Sequence, residues 1–281
     1  MSISIEIVLM WSAVSLYALG AIALTAGTVF NLERLAAAGL WLAVAGVVPQ
    51  LVAIAGRWVR IGHGPYLGFY EVVSSYALLS VVVYVALVWR YRGLRPVGLA
   101  VVPVAFLLLA AAMFTSKSGM GLTGTLASCW LGIHVTFAKL SYASFLAAFG
   151  LAAIYLVREQ ATGTLGEMLS KLPRQEVVDD LSFRFVAAGF IFLAIMIAAG
   201  AIWANEAWGR YWGWDPIETW SLISWLVYAG YLHARLTLGW RGRRAAWFAV
   251  AALPIVLFAM IGVPIVYQSI HGAYLLGTGV K

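Results

Sequence analysis

One cysteine, Cys129, stands among 281 residues. A single thiol excludes a disulfide framework, a CxxC dithiol and a CxxCH site for covalently attached haem. Charge is equally scarce. Asp, Glu, Lys and Arg make up 10% of the chain, against about a quarter of a soluble domain, so a soluble globular protein is excluded. Only four histidines occur, and no Cys/His/Asp cluster has zinc-ligand spacing. The opening "MSISIEIVLM" lacks a basic region and reads as the lead into a first span, not as a removed signal peptide. There is no repeat and no low-complexity linker, so residues 1–281 are expected to form one integral-membrane domain.

What fills the chain is apolar: 63% of residues are hydrophobic. Runs of roughly twenty uncharged residues match the length a helix needs to cross a ~30 Å hydrocarbon core. The expected fold class is all-α, a polytopic transmembrane helix bundle of about eight spans. They fall at 7–30, 36–56, 70–89, 97–114, 129–157, 183–203, 217–237 and 245–267. The formal charge of +7 suits nucleic acid on its face. The bases lie mainly in loops between spans, however, which is the pattern of bilayer orientation. Twelve Lys and Arg fall on one side and five on the other, with the loops at 158–184 and 235–244 carrying most of the excess. The positive-inside rule makes the rich side cytoplasmic. Both termini and the loop between spans six and seven then face outward.

That loop is "WGRYWGWDPIETW", residues 208–220, with four tryptophans, a tyrosine, an arginine and two acids. Tryptophans alone form interfacial belts, but this density suits an apolar shelf. His134 lies near the outer end of the fifth span and His271 just past the outer end of the last. Two imidazoles and the shelf of Trp208, Trp212 and Trp214 therefore converge on one membrane face. Haem fits such a place: it is flat, largely apolar, and accepts imidazoles on both faces of its iron. Arg210 is suited to pair with a propionate in two-pronged fashion. Asp215, Pro216 and Glu218 read first as a helix start, with an acidic N-cap, proline at the first position and a carboxylate at the third. Glu206 and Trp220 flank the shelf. His233 lies about 17 residues beyond Pro216, roughly 25 Å down a helix, near the inner side of the bilayer. An ionisable group there is a functional candidate by default, either for a second haem or for a route along which haem moves. His63, in "RIGHGPYLGFYE", organises its loop or lines the site. Lys139, inside the fifth span, either snorkels or pairs with an acid. Glu71 favours the start of the third helix.

The run "GAIWANEAWGRYWGWDPIETWSLISWLVYAGYLHAR", residues 200–235, resembles the CcsA (ResC) branch of the WWD haem-handling membrane proteins. "WLGIHVTFAKLSYASF", "GHGPYLGFYE" and "GWRGRRAAW" agree with it. The likeness covers most of the chain from about residue 60 onward, while the first two spans are generic. It implies an external WWD segment at 204–220. It also implies the membrane subunit of a cytochrome c synthase of the System II type, working with a CcsB (ResB) partner. Non-covalent haem b, kept reduced, would be presented outside between His134 and His271. His233 would mark an inner haem site whose opposite ligand the partner supplies. Apocytochrome c then brings a CxxCH segment with free thiols, kept reduced by a thioredoxin-like protein, and thioethers form with the haem vinyl groups. Ile217, often basic in relatives, the missing asparagine before "YE", and the tail around His271 depart from the pattern. A HemX-like protein of haem-synthesis control, a CcmC-like haem delivery module and a b-haem electron-transfer subunit are the alternatives.

Overall fold

The computed structural model describes residues 1–115, 124–170 and 172–270. His271, Lys117, Lys171 and Lys281 fall outside the described residues. Helices dominate. They are α1 (Ile3–Val29), α2 (Glu33–Ile61), α3 (Phe69–Arg90), α4 (Gly98–Met113), α5 (Cys129–Gln160), α6 (Gly163–Ser170), α7 (Gln175–Trp208), α8 (Pro216–Leu236), α9 (Arg243–Leu257) and α10 (Val263–Val266). A 3-10 stretch, Arg92–Val97, leads into α4, and a π-helical turn, Phe258–Gly262, joins α9 to α10.

Local chemistry sets the ends. Ser2 caps α1 by accepting the Ile5 N–H, and Ser128 caps α5 by accepting the Trp130 N–H. Gly62 (φ 80°) and Gly209 (φ 71°) close α2 and α7 in the left-handed conformation that glycine adopts without penalty. Between Pro254 and Pro264 the backbone ladder loses donors, and the helix widens into the π turn.

Among the described residues, seven helical segments are long and apolar enough to cross a membrane. The eighth expected span, α8, is helical as expected but more polar, because Glu218, His233 and Arg235 lie within it. It nevertheless runs between the two ends of the bundle. The helix α7 begins at Gln175 where the apolar pattern predicts 183. Its polar first turns are stabilised as helix by pairs such as Arg184–Asp180 (2.7 Å, four residues apart). The short α6 lies in a stretch read as loop.

The helices alternate in direction. One end gathers Glu6, Arg57, Arg60 and Glu71 in buried ion pairs that join the start of α1, the end of α2 and the start of α3. Ser128 donates to Glu206 (2.6 Å), tying the start of α5 to the end of α7 at that same end. The other end gathers Arg235–Asp179 (2.6 Å), Arg243–Glu159, and the Arg158 bond to the Pro173 carbonyl. The most extensive pairings are α1 with α2 and α5 with α7. Without a hydrophobic force between helices in lipid, small residues allow close approach. A Cβ on Gly39 would meet the Leu24 backbone nitrogen at 2.5 Å. The buried side chains form a continuous cluster from Met10 in α1 to Val256 in α9.

Candidate functional site

A cleft of about 130 Å³, open at its mouth, lies between α3, α5, α7, α8 and the π turn. Its walls are Tyr66, Phe69, Tyr76, Tyr142, Trp203, Met196 and Met260, among other mostly apolar side chains. A smaller cleft of about 30 Å³ adjoins it, lined by Tyr211, Trp212, Glu218 and Gly200. His134, Met196, Ile217 and Ser221 border both.

The His134 ring is held in one orientation. Its Nδ1 lies 2.8 Å from the Met196 carbonyl oxygen. A carbonyl only accepts, so Nδ1 carries the proton and the basic lone pair sits on Nε2. A bond of this kind at the far ring nitrogen is how metal-binding histidines are oriented and made more basic. Space for the ring comes from Gly200, one turn beyond Met196 on α7. A Cβ there would stand 2.5 Å from Nδ1. Sequence reasoning missed both Met196 and Gly200, since neither a backbone acceptor nor a clearance leaves a pattern in one sequence.

The aromatic loop leaves α7 at Gly209 and enters α8 at Pro216. Trp214 has φ 57°, a conformation disfavoured for a bulky residue, and its indole is 69% exposed. Trp212 packs edge-on against Trp214 (5.7 Å between rings) and lines the smaller cleft. Trp208 is edge-on to Trp203 (5.0 Å). Trp203, another residue the sequence did not single out, is buried, donates its indole N–H to the Thr125 carbonyl (3.0 Å) and walls the main cleft. Trp220 packs on Phe258 of the π turn. Arg210 is exposed and its guanidinium folds over Gly213. Asp215 and Glu218 form the predicted capping box of α8. Asp215 also accepts the Ile270 N–H (2.9 Å), bringing the residue before His271 to the loop.

Other candidates lie apart. His233 sits on the exposed side of α8, toward the opposite end, in a stripe with Leu226 and Gly230. His63 is buried, bonded to the Gly64 carbonyl (2.8 Å) and 3.8 Å from Glu71. It borders a small void with Arg57 and Tyr70, not the main cleft. Glu71 is more than a helix-start charge, because it pairs with Arg57 and accepts the Leu67 N–H. Lys139 neither snorkels nor pairs directly with an acid in its hydrogen bonding. It donates to the Pro65 carbonyl and so holds the 62–68 loop, which supplies Tyr66 and Leu67 to the cleft.

A family model described as cytochrome C assembly protein matches residues 66–271. The chain belongs to this family. Relatives named cytochrome c biogenesis protein CcsA place it further. That of Chlamydomonas reinhardtii is 34% identical over 250 residues, covering 86% of this chain and 70% of the relative. That of Prochlorococcus marinus is 35% identical over 265 residues, covering 80% of this chain and 83% of the relative. The solved cytochrome c heme lyase CcmF superposes on 98% of this chain and 48% of its own, with a TM-score of 0.71 and 17% identity. The shared feature there is the fold, and the chain spans about half the length of that lyase. This CcsA-family chain is thus an integral membrane protein of cytochrome c biogenesis.

Proposed function

We propose that this chain is the membrane subunit of a cytochrome c synthase that carries haem to the outer face and presents it there for thioether attachment. The observation that carries this reading is His134: an imidazole oriented through Nδ1, with Nε2 as its ligand nitrogen, between two adjoining clefts beside the tryptophan-rich loop. These residues fit haem b. His134 and His271 supply the axial imidazoles, and Trp208, Trp212 and Trp214 supply flat apolar contact at little entropic cost. Arg210 has no carboxylate partner among the described residues and suits a propionate. Asp215 and Glu218 fix the start of α8 beneath the shelf. In this WWD segment the positive φ of Trp214 keeps its indole turned out of the bundle toward an incoming substrate.

Haem is the substrate here. Each thiol of the CxxCH segment adds across a vinyl group, forming one carbon–sulfur bond while the thiol proton passes to the neighbouring carbon. No oxidant is consumed, and the iron is kept reduced. This chain's part is to bind and orient, which is where the rate gain lies. The incoming histidine of CxxCH displaces one imidazole and releases product. With the base-rich loops cytoplasmic, the termini and the shelf face the periplasm or its equivalent. His233, an imidazole on an exposed helix face inside the membrane, suits a haem whose opposite ligand comes from a CcsB/ResB-type partner. A thioredoxin-like protein keeps the substrate thiols reduced.

The test is co-expression with a CcsB/ResB partner and a CxxCH reporter. We expect covalent haem on the reporter with the wild type and none with His134→Ala. No attachment by correctly folded wild type would overturn the proposal in favour of a HemX-like role.

A further inference from the structure

Asp215 carries more bonds than its helix requires. Its Oδ1 accepts the Ile217 N–H at 3.0 Å, which is the cap. Glu218 returns the favour by accepting the N–H groups of Gly213 (2.8 Å) and Asp215 (3.2 Å). A neutral side chain with one acceptor caps a helix about as well as aspartate, so the second oxygen is surplus to capping. That oxygen, Oδ2, accepts the N–H of Ile270 at 2.9 Å, across 55 residues of chain. Asp215 is 7% exposed, which shields the bond from water. Before it, α10 ends at Val266, and residues 265–268 are exposed. The chain comes back to the loop at Ile270, and His271 is the next residue, one peptide bond and about 3.8 Å of Cα separation away.

We propose that Asp215 is a positioning residue: its carboxylate latches the Ile270 N–H and thereby sets the segment bearing His271 over the tryptophan-rich loop. This rests on His271 serving as the ligand opposite His134. Asp215 acts on haem through that histidine. It also couples the two, because whatever moves the start of α8 moves the outer ligand.

The test uses the full chain with its partner and reads carbon monoxide binding to the reduced haem by stopped flow. Carbon monoxide enters only where an imidazole has left, so its rate rises when either outer ligand is loosened, and neither variant below touches the Nδ1 bond that holds His134. Asp215→Asn keeps one acceptor and loses the other. Ile270→Pro removes the donor from the opposite side and leaves the α8 cap intact. A charged acceptor's hydrogen bond is worth enough that we expect binding about tenfold faster in each variant. The double variant should be no faster than the singles, because both remove one bond. Wild-type rates in Ile270→Pro, with His271→Ala fast, would overturn the latch and leave the axial assignment standing. A wild-type rate in His271→Ala would overturn the assignment and the latch with it.

Discussion

His134 and His233 are both imidazoles on long helices of one bundle, yet they are built differently. His134 has a partner for Nδ1, a glycine opposite to make room, clefts on two sides and indoles nearby. His233 stands on an exposed helix face, with a small residue, Gly230, one turn before it. On the proposed reading the first is a ligand this chain orients itself, and the second is one wall of a site whose other wall a partner supplies. The contrast is in the surroundings: His134 is enclosed by its own chain, while His233 is left uncovered.

Removing the prepared ligand should break the contrast most severely. His134→Ala is expected to abolish haem attachment to a CxxCH reporter, measured by haem staining, with the helical content unchanged by circular dichroism. Next comes its support. Gly200→Ala puts a methyl where Nδ1 lies, and disturbing an outer-shell partner costs about 10–100-fold in affinity. A haem titration of the purified chain should show that loss.

The ion pairs at the same end sharpen the comparison in terms of stability. Arg57→Met leaves the buried Glu71 without its cation, a loss of about 3–5 kcal/mol for a buried pair. We expect a lower midpoint in thermal or denaturant unfolding without loss of the haem that remaining folded protein binds. His233→Ala should affect neither the fold nor the outer haem of the isolated chain, and should deplete haem only when the partner is present. Cys129→Ser should be the smallest of all, within about 0.5 kcal/mol, because this exposed thiol has no second cysteine in the chain.

Much of the bundle was legible because apolar runs of membrane length carry their own signal. The capping box at Asp215 was legible too, since its three residues are close in sequence. What escaped depends on contacts between distant residues. The polar opening of α7 looks like loop until Asp179 meets Arg235 from the end of the neighbouring α8. Glu71 looks like a helix-start charge until Arg57 arrives from α2. Lys139 finds a backbone carbonyl in a loop, a partner that sequence patterns do not mark. The same holds for the site: the indoles and imidazoles announce themselves by type, whereas Met196, Gly200 and Trp203 act through a carbonyl, an absence and a wall.

The most direct check on an outer haem held between residues 134 and 271 is low-temperature electron paramagnetic resonance of the oxidised, partner-bound chain. Low-spin iron with two imidazoles is expected in the wild type. His134→Ala and His271→Ala should each convert the outer haem to high spin, and added imidazole should restore the low-spin signal. Folded variants with the wild-type low-spin signal intact would contradict the assignment.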